Sequence, residues 1–241
     1  MYNYFALHYD ELTENVDYKV RSDYISDFFN EYGIRQGSTI LDLACGTGSM
    51  SLHMKNKGYN VIGIDLSDEM LSAADFKAKG EISFIKSEMQ NFSLAETVDA
   101  CMCNLDSINH LNDIYEVKET FKCVYNSLNN NGIFIFDINT VYKHNNILAD
   151  NSFVFDEDDY FLSWDNELLE GNRVRIMLDF FVFNGNNYDR YSEEFIETAY
   201  SAEVLEDALS PYFEVLGIYD DISFNKPEST SERIYFVCRR K

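Results

Sequence analysis

Five short apolar runs, alternating with stretches of helical period, constrain this chain more than any other feature. "STILDLA", "NVIGID", "ISFIKSE", "DACMCN" and "IFIFDIN" read as strands. Among them, "SMSLHMKNKG", "SDEMLSAADFKAKG" and "DIYEVKETFKCVYNSLNNNG" read as helices, with Ser67 standing where an N-cap belongs. Strands apolar on both faces and joined through helices are parallel strands covered on both sides, so the expected fold is α/β and doubly wound. Ahead of them, residues 5–33 carry Val20, Tyr24, Ile25, Phe28 and Phe29 at helical spacing and predict a helical entry segment closed by Gly33. The period changes after Thr140. Between about Asn151 and Thr198, "SFVFDEDDYFLSW", "RVRIMLDFFVFN" and "NYDRYSEEFIET" are separated by "EGN" and "NGNN", which predicts an inserted antiparallel β meander. A helix-like "SAEVLEDALSPY" and two strand candidates, "FEVLGIYDD" and "ERIYFVCRR", follow and complete a mostly parallel seven-stranded sheet. The expected organisation is a core of residues 1–140 and 199–241 with an insert at 141–198.

The 241 residues suffice for one substantial core, so stability demands neither disulfide nor metal. Five cysteines are an odd number and none forms a C-x-x-C pair, which reads as reduced thiols of a cytoplasmic protein, with no metal centre expected. The opening "MYNYFALHYDE" lacks the basic flank and apolar core of a signal peptide, and no run nears the roughly 18 apolar residues of a membrane span, so no membrane partner is expected. A formal charge of -23 repels phosphate backbones and argues against a nucleic-acid partner; a solubility shell is the simpler reading.

"ILDLACGTGSMS", residues 40–51, places an acid inside the first strand and two glycines directly after it. A strand, glycine turn and helix offer free amides and close backbone approach to a ligand. The glycines imitate the dinucleotide fingerprint, and Asp65, 19 residues after Gly46, stands where that fingerprint expects a ribose-binding acid. Asp42 separates the readings. A carboxylate opposes a pyrophosphate at this turn, whereas it stabilises a cationic amino-acid moiety. S-adenosylmethionine (SAM) has both a ribose and such a moiety. On these residues the chain resembles the class I SAM-dependent methyltransferases, whose first motif is an acid followed by G-x-G-x-G, with Ala44 here in place of the first glycine.

That resemblance implies a set of site residues. Asp42, Ala44, Gly46 and Gly48 would wrap the methionine part, Asp65 would hold the ribose hydroxyls, Leu66 and Met70 would pack on the adenine, and Glu88 with Met89 would read its edge. "FALHYDELTENVDY", "CNLDSINHL" and "GIFIFDINT" are similar to a bacterial small-molecule branch of the family, in which the N-terminal helix closes over the cofactor with a tyrosine; Tyr9 and Tyr18 match. Arg21 stands where a tryptophan is usual, to contact the SAM carboxylate or, as we favour, to lie on the surface.

Methyl transfer from a sulfonium needs alignment and desolvation and, for an amine, a nearby base that is helpful without being obligatory. Open α/β sheets bind ligands at the carboxyl ends of their strands. Asp106, Asn109 and His110 after the fourth strand, and Asp137 and Asn139 ending the fifth, therefore border the mouth. His110 and Asp137 are the catalytic candidates; Leu105 and Asp106 are placed at the cofactor, Asp106 alternatively capping the next helix. The meander would roof this mouth, with Trp164, Tyr160, Phe180, Phe181, Tyr188 and Tyr191 lining an aromatic pocket for an amine, packing on the domain below, or forming a dimer interface. The function expected is methyl transfer to nitrogen or oxygen of a small molecule by a monomer or homodimer. The alternatives are a non-catalytic SAM-binding regulator, a protein or tRNA methyltransferase, and an NAD-dependent oxidoreductase.

Overall fold

The computed structural model describes residues 9–10, 16–158 and 160–241. Strands β1 (Thr39–Leu43), β2 (Asn60–Asp65), β3 (Ser83–Lys86), β4 (Val98–Cys103), β5 (Leu128–Asn139), β10 (Phe213–Asp220) and β11 (Arg233–Arg240) form one sheet, ordered β10-β11-β5-β4-β1-β2-β3. Only β11 runs against its neighbours. Between β5 and β10 the chain builds a second sheet, the antiparallel meander β6 (Ser152–Asp156), β7 (Tyr160–Leu169), β8 (Arg173–Phe183) and β9 (Tyr188–Thr198).

The larger sheet is doubly wound because its residues are apolar on both faces. Leu41, Phe134, Phe136 and Phe236 pack with Val117, Phe121 and Val124 of α4 (Ile114–Ser127) and Leu205 and Leu209 of α5 (Ala202–Leu209). Their neighbours in sequence, Ile40, Ile133, Ile135 and Val237, point the other way. They meet Tyr24, Ile25, Phe28 and Phe29 of α1 (Tyr18–Glu31) and Met50 and Met54 of α2 (Ser49–Asn56). The remaining helix, α3 (Asp68–Ala78), starts at the expected cap: the Ser67 hydroxyl accepts from the Met70 amide at 3.2 Å. The chain leaves the sheet centre along β1, winds outward to β3 and returns to β4 on the opposite side of β1. This reversal leaves a crevice beyond the carboxyl ends of β1 and β4.

Three expectations are corrected. The entry segment is not one helix: Tyr9 and Asp10 are helical, but the chain bends at Val16, and Asp17 starts α1 by accepting from the Val20 amide at 2.9 Å. Residues 5–8 and 11–15 of that segment lie outside the described residues, and Val20 is 42% exposed rather than on the buried face. Helix α4 stops at Ser127 and "LNNNG" belongs to β5, where an irregular register brings Gly132 within contact of backbone; a Cβ there would lie 2.8 Å from the Asn129 oxygen. Finally, the first meander segment is two strands, β6 and β7, paired antiparallel, with the Glu157 amide donating to the Tyr160 carbonyl at 2.9 Å beside the bend.

Candidate active site

The turn after β1 is held open by left-handed backbone. Ala44 (φ 57), Gly46 (φ 53) and Gly48 (φ 74) all adopt it. For Ala44 this costs roughly 1 kcal/mol, the physical reason a glycine suits that position. At Gly48 a side chain would also collide, since a Cβ would lie 3.0 Å from Ala74 Cβ and 3.1 Å from Phe84 Cζ. Above Gly46 there is open space, the side from which a ligand approaches. Asp42 is 2% exposed and accepts from the Ser51 hydroxyl at 2.5 Å. Burial pushes its carboxyl up to about 7; the Ser51 hydroxyl opposes this and the Asp65 charge adds to it.

Asp65, ending β2, accepts from the Gly46 amide at 2.8 Å and, through its other oxygen, from the Ser67 amide at 2.9 Å. Burial raises this carboxyl despite those amides. Each oxygen retains a lone pair, the geometry a ribose diol requires. Leu66 stands 58% exposed beside it, whereas Met70 is 5% exposed. Glu88 is exposed just after β3, and half-buried Met89 lies with its sulfur 4.0 Å from Cys103 Sγ.

Asp42, Ala44 and Gly46 share one cleft with Tyr9, Tyr18, Asn104 and Leu105. Among the described residues neither Oδ1 nor Nδ2 of Asn104, both buried, has a hydrogen-bond partner. An orphaned donor and acceptor beside a buried acid match the carboxylate and ammonium of an amino acid, so these residues fit the SAM methionine moiety. Asn104 lines the cleft, and sequence reasoning did not single it out. Asp10 brings the entry segment onto the turn: it accepts from Thr47 Oγ1 at 2.7 Å, Lys77 Nζ at 2.6 Å and Ser49 Oγ at 3.1 Å. Burial works against the Asp10 carboxylate, but these bonds prevail and hold it below its ordinary value.

Across the cleft, Leu105 (φ 56) and Asp106 (φ 51) are both left-handed, without glycine. Asp137 explains how: it is fully buried and accepts from the Leu105 amide at 2.8 Å and the Asp106 amide at 3.0 Å. Arg233 of β11 pairs with Asp137 and, at 2.6 Å, with Asp106. Burial pushes Asp106 up, and Arg233, Lys143 and His110 overcome it and hold the carboxylate low. Asp137 thus does not stand free at the mouth: its carboxylate engages the loop amides and Arg233. Nor does Asp106 cap the following helix; Asp113 caps α4, accepting from the Tyr115 and Glu116 amides at 2.8 and 3.0 Å. Arg21 is not on the surface either: its side chain is 12% exposed and donates to Tyr235 Oη at 2.6 Å.

The meander reaches this same place. Asn109, fully buried, donates to the Asn139 and Thr198 carbonyls at 3.1 and 3.0 Å and accepts from the Asn139 amide at 3.0 Å, joining the ends of β5 and β9. His110 packs on Phe195 of β9, ring centres 5.1 Å apart, and its Nε2 lies 3.8 Å from Glu197 Oε1. The meander aromatics pack mainly together. Phe180 is buried in a cluster of the meander's own, Tyr160, Trp164 and Tyr191 lean on it, and Tyr160 stacks on Phe180 at 5.8 Å.

Four likenesses accompany this geometry. Residues 40–132 match the family model described as a methyltransferase domain. The provisionally named methyltransferase YqeM of Bacillus subtilis (strain 168) is 32% identical over 246 residues, spanning 100% of this chain and 97% of that one. Among solved structures, a SAM-dependent methyltransferase from Clostridium acetobutylicum ATCC 824 superposes with a TM-score of 0.90 at 36% identity, covering 99% and 98% of the two chains. SAM-bound CalS10, an amino pentose methyltransferase from Micromonospora echinaspora, shares the fold at a TM-score of 0.78 and 16% identity, over 98% of this chain and 96% of that one.

Proposed function

This chain belongs to the class I SAM-dependent methyltransferases, and from that premise we propose that it methylates an amine or hydroxyl of a small molecule, with His110 taking the acceptor's proton. When bound, SAM supplies a methyl group on a sulfonium: the acceptor's lone pair forms the new bond as the C–S bond breaks and its electron pair stays on sulfur.

The chain's own residues do the rest. Asp42 and Asn104 hold the ammonium and carboxylate of the methionine part, helped by the backbone from Ala44 to Gly48, while Tyr9, Tyr18 and Leu105 close over it. Asp65 receives the ribose hydroxyls; Leu66 and Met89 flank the base, whose edge Glu88 reads, and Met70 supports that wall from within. Asp106, held by Arg233, sets the path of the loop that carries His110. The observation behind this reading is the place of His110. The short turn that carries it begins at Ser107, which lines the cofactor cleft, and its ring touches Phe195 of the inserted sheet on the other side. A base at that junction stands between the donor and a roof formed by the insert. The acceptor is read as small because β9 of the insert packs on the loop that carries His110, through Asn109 and Phe195, and as non-nucleic because the charge of -23 repels phosphate. Aminated sugars, the acceptor class in the name of CalS10, belong in the first substrate screen.

Production of S-adenosylhomocysteine from SAM across a panel of small amines, hydroxyls and carboxylates tests the reading. With an acceptor in hand, His110→Gln should lower turnover by about 100-fold, with SAM affinity within twofold of the parent. Unchanged turnover removes His110 from the chemistry.

A further inference from the structure

His144 lies in the π-helical turn Lys143–Leu148, after β5, and is fully buried. Its Nδ1 sits 3.0 Å from the Asn172 carbonyl oxygen. A carbonyl only accepts, so Nδ1 carries a hydrogen and donates it. Among the described residues Nε2 has no hydrogen-bond partner, yet it faces Glu197 Oε2 at 3.5 Å. If that nitrogen were bare and the carboxylate ionised, two lone pairs would oppose each other out of reach of water. The pair therefore needs one proton between them. The charged groups around the pair are mixed: Lys143 of the same turn faces Arg233, Asp106, Glu197 and Glu232, Asp106 faces His110, and Arg21 and Arg233 face Asp137. The geometry of the two facing atoms therefore carries the assignment.

Glu197 itself is 4% exposed and has three potential donors arranged around it. Oε1 faces His110 Nε2 at 3.8 Å, while Oε2 faces His144 Nε2 at 3.5 Å and accepts from Asn139 Nδ2 at 3.3 Å. Phe195, two residues earlier on the same face of β9, packs at a tilt against the His110 ring.

We infer that Glu197 is the positioning residue of the reaction, an ionised carboxylate clamped by a protonated His144 so that it orients His110. Resting on the proposed role of His110, this assigns an atom to each step. His110 Nε2–H points at Glu197 Oε1, leaving Nδ1 bare toward the mouth. As the acceptor's nitrogen or oxygen takes the methyl group, its proton passes to His110 Nδ1, and Glu197 stabilises the resulting imidazolium. Substrate release and exchange with solvent return that proton, and the His144 proton stays in place throughout. The inserted sheet is then part of the catalytic apparatus, since Glu197 and Phe195 both belong to β9.

The test is nitrogen NMR of the full-length protein labelled with 15N-histidine, which has four imidazoles to assign. At pH 7 both ring nitrogens of His144 should resonate in the range of hydrogen-bearing nitrogens, and Glu197→Gln should move His144 Nε2 into the range of bare ones. With an acceptor in hand, the same variant should lower kcat by about tenfold or more with little change in the KM for SAM. A bare Nε2 in the unmodified protein overturns the inference without any variant, so a poorly folding Glu197→Gln leaves it falsifiable. Asp106, His110 and Glu197 bring one ligand atom each within 4.8 Å, so zinc is added at one equivalent as a control. No movement of the His110 and His144 signals is expected, and their joint displacement overturns the inference in favour of a metal site. Calorimetry with SAM separates the two readings: loss of SAM binding sinks the proposed function, whereas a bare His144 Nε2 sinks only the clamp.

Discussion

Burying the Asp42 carboxylate behind one hydroxyl donor raises it to about 7, and this has a sign that can be measured. Its folded-state value lies above the unfolded one, so between about pH 4 and 7 the unfolded chain releases a proton that the folded chain keeps. The contribution of Asp42 to the stability of the ligand-free protein therefore falls as pH rises through that window. Asp42→Asn keeps an acceptor for Ser51 and removes the charge. Thermal melts at pH 8 should show the variant more stable, on the order of 3 kcal/mol, with the gain gone near pH 4, where Asp42 is neutral in both states. Calorimetry should show its SAM affinity lower by tenfold or more, because a cation no longer meets a carboxylate. A variant that matches the parent in both melts and affinity would mean that this acid neither strains the fold nor serves the cofactor. Asp42 was legible in the sequence because it sits directly against the glycine turn. Asn104 was not, since a lone asparagine after a strand carries no pattern; only its two unpartnered buried atoms single it out.

The loop after β4 holds two consecutive left-handed residues through contacts made far along the chain. Leu105 and Asp106 cost roughly 1 kcal/mol each in that conformation, and Asp137 and Arg233 over-determine it. Arg233→Met would leave buried Asp137 without its ion-pair partner and Asp106 with Lys143 alone. We expect a loss of about 3–5 kcal/mol by chemical denaturation, and weaker SAM binding because Leu105 lines the cleft. Asp137→Asn should be milder, since Arg233 keeps Asp106; if instead the two variants melted alike, the network would not be what holds this loop. The helices and their caps at Ser67 and Asp113 follow local rules. By contrast, the early end of α4 at Ser127 follows from strand pairing of Leu128 with Val98, to which helical periodicity is blind.

At the scale of the molecule, 42 acids against 19 Lys and Arg make self-repulsion a standing cost. Raising ionic strength from 0.01 to 0.15 M shortens the screening length from about 30 to about 8 Å, so the melting temperature at pH 8 should climb by several degrees; a flat response would mean the charges are already compensated. Among the described residues no helix is long and apolar enough to cross a membrane. The alternation of apolar runs with helices determined the doubly wound sheet, because strands covered on both faces must be apolar on both, and that demand is written locally. The glycine turn with Asp42 and Asp65 was equally legible, since its parts lie close along the chain and its spacing follows from strand and helix lengths. What only the tertiary structure decided is every partnership across long separations: Arg233 with Asp106 and Asp137, Arg21 with Tyr235, and Glu197 with His110 and His144. A buried charge takes whichever opposite group the folded backbone brings to it, and no period or motif along the chain encodes that meeting.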